Sequence, residues 1–378
     1  FNQRVDHFGF YKDTFPQLYF MNDTHYKPGG PVYLYSPGES SNRVATVKRG
    51  FLLTLAKETN GLVFSLEHRY YGKSNPVPDL SPRNMRYLSV AQALEDTANF
   101  ILTAPLPAAV ARAGPRDKLR WIVVGGSYAG NLAAWMRLKY PELVFAAYSS
   151  SGPVRAKYDY YEYDLAVRER LPCRDQVQAA IEQVDAVLAS DDADQIALAQ
   201  NIFGLQALDR VADFAGALVD QISYLVQYYA PPLKGKADTI EDFCQYFSNH
   251  TQPIDALAAA TKQYISANKY NVLERFDTYR GASNYTLGQA GRSWFYQTCT
   301  EFGYWQTAPR FPMPSLRSKL VDIEYNEGPC RAFFGSQVRT PVDTDRINFA
   351  YGADTLEVSR VYFVNGEFDP WRKLSVSS

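Results

Sequence analysis

Residues 121–130 read Trp-Ile-Val-Val-Gly-Gly-Ser-Tyr-Ala-Gly. Trp121 to Val124 form a short apolar run of strand type, Gly125-Gly126 end it, and residues 128–139 take up helical spacing at once. A serine at the sharp turn from a strand into a helix is held exposed, and only small residues fit two positions to either side of it. Gly125 fills one of these positions and Ala129 the other, with Gly130 next. Such a turn lifts the Ser127 hydroxyl to the C-terminal edge of a sheet. It also aims the Tyr128 backbone N–H, with the helix N-terminus behind it, at a developing oxyanion. Gly-Gly-Ser on its own also starts ordinary helices. Strand, small flanks and helix together favour a nucleophile.

Outward from this turn, strands alternate with helices. Pro31 to Ser36 is β-prone and closed by the Pro37-Gly38 turn; Gly50 to Glu58 has helical spacing; Leu62 to Leu66 reads as a buried strand. Residues 89–102 open on a Ser cap and carry an apolar stripe, and Val144 to Tyr148 is strand-like again. This alternation predicts an α/β fold with a mostly parallel sheet covered on both faces. From about Pro153 the texture changes. Residues 174–229 and 252–277 are rich in Ala, Leu, Gln and Asp, with helical periodicity and no convincing strand, broken at Pro231-Pro232 and Gly235. The strand signal returns at Val358 to Val364, ahead of Asn365-Gly366. The expected organisation is an α/β core at 1–154 and 336–378, interrupted by a helical cap at 155–335 that would roof a cleft.

Composition limits the partners. The 378 residues hold 39 Lys+Arg against 40 Asp+Glu, so there is no electrostatic reason to propose nucleic acid or an anionic membrane surface. No apolar run reaches the roughly 18 residues of a membrane helix. The chain starts Phe1-Asn2-Gln3, as a processed or trimmed product would. Cys173, Cys244, Cys299 and Cys330 form no CxxC pair and have no His at ligand spacing, so no metal or other cofactor is expected. The even count fits two disulfides with three possible connectivities. A nested arrangement, Cys173 with Cys330 and Cys244 with Cys299, would tie the ends of the insertion together. Sequons at Asn22, Asn249 and Asn284 accompany the cysteines and favour a secreted or lysosomal (vacuolar) protein.

A serine nucleophile needs a base and an orienting carboxylate, in the chain order Ser, Asp or Glu, His on an α/β-hydrolase. Asp369, in VYFVNGEFDPW, follows the late strand where that carboxylate belongs. At this point four stretches, LEHRYYGKS at 66–74, GGSYAG at 125–130, FYQTCTEFGYW at 295–305 and NGEFDPW at 365–371, resemble peptidase family S28 in the family's order. The resemblance implies an α/β-hydrolase core with a helical cap, and an acid-tolerant serine peptidase cleaving after proline. It assigns Ser127 as nucleophile, Asp369 as triad acid and the Tyr128 N–H as one oxyanion donor. The second donor would lie in the loop Pro37-Gly38-Glu39-Ser40, at Glu39. It places Trp294, Tyr296 and Trp305 near a proline-side pocket, where flat aromatic walls suit a pyrrolidine ring. Glu39 and Glu301 are carboxylates that could meet a substrate amine.

One departure stands out. The family's histidine follows the Asp, whereas His7, His25, His68 and His250 all precede Asp369. His68 falls just after a core strand, but the family does not use it as base. The expectation is a chain truncated before its histidine, with loss of the base as the alternative. Proline-containing peptides are the expected partners; a homodimer is left open. An esterase or lipase on the same fold, and a binding protein that has lost its base, are the competing functions.

Overall fold

The computed structural model describes residues 1–10, 12–229 and 239–377, so the Pro231-Pro232 and Gly235 break lies outside the described residues. Three short strands open the chain: β1 (Asn2–Arg4), β2 (Thr14–Pro16) and β3 (Tyr19–Asn22). The core strands are β4 (Val32–Tyr35), β5 (Leu62–Leu66), β6 (Trp121–Gly126) and β7 (Val144–Ser150). β8 (Lys157–Asp159), β9 (Gly303–Trp305) and β10 (Val361–Val364) complete the set.

Six strands build the central sheet in the order β10-β7-β6-β4-β5-β3. Every neighbouring pair is parallel except β3 with β5. Parallel strands deliver their C-terminal loops to one edge. Consequently the segments after β4, β6, β7 and β10 are brought to a common rim, where α/β sheets bind ligands. Helices Phe51–Thr59, Val90–Thr103 and Tyr128–Lys139 connect the strands. The second of these starts at the anticipated cap: the Ser89 side chain accepts from the Gln92 N–H. The core beneath it holds Phe64, Phe100 and Trp121, all essentially without exposure, with Phe64 stacked on Trp121. Burial of each such side chain contributes about 2–3 kcal/mol.

Between β8 and β9 lies a run of helices from Glu162–Arg170 to Ala290–Gln297. No strand is expected at 174–229 or 252–277, and none lies there among the described residues; two short strands that the sequence does not announce flank the run. β8 and β9 pair in parallel, Lys157 with Gly303 and Asp159 with Trp305, clasping the chain where it leaves and rejoins the core. Three residues per strand are too few for an alternation pattern to register, and Gly303 is needed for the pairing: its φ is +64°, and a Cβ there would sit 2.8 Å from the Lys157 carbonyl oxygen.

The nested disulfide pairing is also overturned. Cys173 is bridged to Cys244, and Cys299 to Cys330. Cys173 precedes helix Arg174–Leu188 and Cys244 lies on helix Ile240–Asn249, both of which pack on helix Pro253–Asn268. Cys299 and Cys330 share a separate buried cluster with Tyr296, Phe333 and Phe334. Each bridge therefore closes within its own packing layer. Among the described residues, no helix is long and apolar enough to cross a membrane.

Candidate active site

Ser127 stands between β6 and helix Tyr128–Lys139 with φ 55° and ψ −133°. A non-glycine residue rarely holds a positive φ, and the strain persists only where the surroundings enforce it. Here they do. The Ser127 N–H donates to the Ser150 carbonyl at the end of β7 (2.8 Å), and the Ser127 carbonyl accepts from the Gly130 N–H (2.8 Å). The small flanks are sterically required: a Cβ on Gly125 would meet the Ala129 carbonyl oxygen at 1.9 Å, and one on Gly130 the Ser149 Oγ at 3.0 Å. The Ser127 side chain makes no capping bond to its helix and is exposed, which leaves the hydroxyl free.

Asp369 follows β10 on the same rim. Its carboxylate accepts from the Trp371 N–H (3.0 Å) and has the Ser151 hydroxyl nearby. Burial pushes its pKa up, and these two donors pull against that rise. Ser127 and Asp369 line one cavity of about 340 Å³, with Gln227, Tyr228, Tyr229 and Trp371 among its walls. The loop after β4 reaches the same region: a Cβ on Gly38, whose φ is +61°, would lie 3.2 Å from the Ala129 Cβ. Glu39 beside it is largely buried, and burial raises its pKa. Its carboxyl is close enough to Tyr71, Tyr128 and Tyr228 to raise their phenol pKa values as well.

A second cavity, of about 640 Å³, lies alongside and shares Trp371 as a wall. Trp294 and Trp305 line it. Tyr296 and Glu301 line neither cavity. Tyr296 packs edge-on against Phe334. The buried Glu301 carboxylate accepts from the Val90 N–H (3.1 Å) at the start of helix Val90–Thr103, and burial pushes its pKa up to about 7 against the opposing effects of that N–H and of Arg346. It acts as a helix cap and is withdrawn from any substrate amine.

The four histidines have other partners or positions. His7 Nε2 pairs with Asp96 (2.7 Å), His25 lies in the turn after β3, and His250 is exposed with Nδ1 on the Tyr246 carbonyl. His68 is buried between the Arg69 carbonyl and the Tyr128 hydroxyl. None of the four lines the cavity of Ser127 and Asp369. Of the sequons, Asn249 and Asn284 are exposed, while the Asn22 side-chain nitrogen donates to the Val47 carbonyl (2.7 Å).

Sequence reasoning missed Trp371, Tyr228 and Tyr229. Trp371 was within reach, two residues past the carboxylate. The two tyrosines read only as part of a helical stretch, and nothing local says that they turn toward β10, where Tyr229 stacks on Phe368.

A mostly parallel sheet with a serine on a strained turn after a central strand, and a carboxylate after a late strand in one cavity with it, defines an α/β hydrolase. The chain belongs to the serine carboxypeptidase S28 family, whose model matches residues 3–378. It is 34% identical to the thymus-specific serine protease of Homo sapiens over 394 residues, covering 96% of this chain and 74% of that protein. It is 32% identical over 412 residues to a protein of Arthroderma benhamiae described as a "probable extracellular serine carboxypeptidase". That alignment covers 96% of this chain but only 56% of the fungal protein, so the chain spans little more than half the length of that relative.

Proposed function

We propose that this chain carries the nucleophile and the acid of a serine peptidase that cleaves peptides on the carboxyl side of proline. The observation that carries the reading is Ser127 in a strained turn, with a free hydroxyl, facing the same 340 Å³ cavity as Asp369. In this mechanism Ser127 Oγ attacks the prolyl carbonyl and an acyl-enzyme forms, which water then releases. The N–H groups of Tyr128 and of the loop residue Glu39 receive the oxyanion. Asp369 orients a histidine base, and the reading takes that base from polypeptide outside these 378 residues, since none of the chain's own histidines lines the cavity of Ser127 and Asp369. Trp371, shared by both cavities, together with Trp294 and Trp305, offers flat apolar walls for the proline ring. Residues 155–335 act in this reading as the cap. Two disulfides and the exposed sequons at Asn249 and Asn284 support a secretory or lysosomal setting.

The test is covalent labelling of the full-length polypeptide with a fluorophosphonate, followed by hydrolysis of matched prolyl-peptide and ester substrates. Labelling that disappears in Ser127→Ala, with prolyl peptides preferred, is the expected result. Labelling that survives Ser127→Ala removes the assignment, and preference for the ester turns the reading toward an esterase.

A further inference from the structure

We propose that His68 and Gln297 are positioning residues that clamp the phenol of Tyr128 and so fix the backbone N–H that follows Ser127; the inference rests on the peptidase reading above. His68 belongs to the LEHRYYG stretch, which the catalytic assignment leaves without a role, and Gln297 closes helix Ala290–Gln297.

The hydrogens of this network can be arranged in one satisfactory way. His68 Nδ1 lies 2.7 Å from the Arg69 carbonyl, which can only accept, so Nδ1 carries the proton and Nε2 is an acceptor. The Tyr128 hydroxyl, 3.0 Å from Nε2, must then donate to it. The phenol oxygen in turn accepts from Gln297 Nε2 at 2.9 Å, and Gln297 Oε1 accepts from the Tyr71 hydroxyl at 2.6 Å. The chain Tyr71 to Gln297 to Tyr128 to His68 to the Arg69 carbonyl runs in one direction with each link satisfied. Tyr71, Tyr128, His68 and Gln297 are all buried, and an unpaired polar group at any of them would cost the desolvation of that group.

The clamp adds a side-chain anchor to a turn otherwise held by backbone hydrogen bonds and tight small flanks. Ser127 itself contributes no side-chain cap. Tyr128 is therefore the first residue after the serine with an anchored side chain, and its ring also meets Trp294 (5.4 Å) and Phe302 (5.5 Å). Trp294 and Gln297 share one helix, so the helix that lines the larger cavity also holds the phenol. An N–H pinned in this way is preorganised for charge that appears only in the transition state.

Protonation of His68 would break the chain. Nε2 would become a donor facing the phenol's own O–H, and that hydrogen would lose its partner. Burial keeps the ring neutral down to about pH 4. The charged and titratable groups that face this network are Arg69 beside the ring, Asp96 on helix Val90–Thr103, Glu39 and Glu301 around Tyr71 and Tyr128, and Tyr351 near Tyr128.

The experiment is steady-state kinetics on a prolyl peptide with the full-length polypeptide, comparing wild type with His68→Leu, Gln297→Leu and His68→Gln. Melting temperature serves as a fold control and fluorophosphonate labelling of Ser127 as a control on the parent reading. His68→Leu and Gln297→Leu should lower kcat by about tenfold or more with KM nearly unchanged, because the N–H matters only once the oxyanion forms. His68→Gln keeps an oxygen able to accept the phenol O–H but cannot take up a proton. It should restore kcat and shift the loss of activity near pH 4 to lower pH. Unchanged kcat in both leucine variants with Ser127 still labelled overturns the clamp alone. So does an equal loss in His68→Leu and His68→Gln, which would reduce His68 to packing. Absence of labelling in wild type removes the peptidase reading, and the clamp with it.

Discussion

Gly125 and Gly126 are adjacent in the same turn yet carry unequal constraints. A Cβ at Gly125 would overlap the Ala129 carbonyl oxygen at 1.9 Å and its carbon at 2.2 Å, whereas the nearest atom to a Cβ at Gly126 is the Ser150 carbonyl oxygen at 3.7 Å. The obstacle at Gly125 is backbone of the first helical turn, so relief requires moving the turn that holds Ser127. Gly125→Ala should therefore cost at least about 2 kcal/mol in urea denaturation and abolish fluorophosphonate labelling, while Gly126→Ala should stay within about 1 kcal/mol of wild type. Equal stabilities for the two variants would mean that the elbow is not sterically enforced. This asymmetry explains what could be read at the residue scale. The places of Ser127, at the end of β6, and of Asp369, in the loop after β10, were legible because a strand and its local turn mark each. Glu301 was not, because its partner is the Val90 N–H, supplied by a helix remote in sequence. An acidic residue in an aromatic-rich segment suggests a ligand equally well until that helix end is seen.

Elements were legible where a hydrophobic period had room to repeat. β5 to β7 and the helices Phe51–Thr59, Val90–Thr103 and Tyr128–Lys139 fell within a few residues of expectation because five to fourteen residues define each, and the four-residue β4 and β10 did so because Pro37-Gly38 and Asn365-Gly366 close them. β8, β9 and the N-terminal strands did not, since three or four residues form strands only because a neighbour offers hydrogen bonds. Disulfide pairing failed for a related reason: connectivity depends on which helices stack, and sequence separation is silent on that. The bridges Cys173–Cys244 and Cys299–Cys330 span 71 and 31 residues. In the chain-entropy model each contributes about 4 kcal/mol, the longer loop exceeding the shorter by less than about 1 kcal/mol. Non-reducing peptide mapping should recover these two pairs, and a serine double replacement of either should lower stability by that amount without changing the other bridge. A peptide joining Cys173 to Cys330 would contradict the helix stacking itself.

At the scale of the whole molecule, the buried titratable groups set how stability responds to pH, and between acid and neutral pH Glu301 and His68 oppose each other. Glu301 in the folded protein has its pKa raised from 4.5 to about 7 by burial. The folded state thus holds a proton that the unfolded chain has released, and stability is greatest below pH 4.5 and declines as pH rises through about 7. His68 is shifted the other way, from 6.5 to about 4, again by burial. The unfolded chain binds that proton first, so stability is lost as pH falls from 6.5 toward 4. Between about pH 4.5 and 6.5 the two slopes, each about 1.4 kcal/mol per pH unit, offset one another. Burial also raises the pKa of Glu39, Asp164 and Asp369, which adds to the Glu301 side and tilts the balance toward acid. Single replacements should separate the contributions. Glu301→Gln keeps an acceptor for the Val90 N–H without a charge to bury, so it should match wild type near pH 4.5 and be more stable by about 3 kcal/mol above pH 7.5. His68→Gln should match wild type above pH 7 and gain stability relative to it as pH falls to 4. Urea denaturation at half-unit steps from pH 4 to 8 checks both. A Glu301→Gln curve parallel to wild type would show that this carboxyl titrates alike in the folded and unfolded chain. The acid side of the curve would then have to come from the other carboxyls that burial raises, Glu39, Asp164, Asp213 and Asp369, of which Asp369 bears directly on the proposed catalysis.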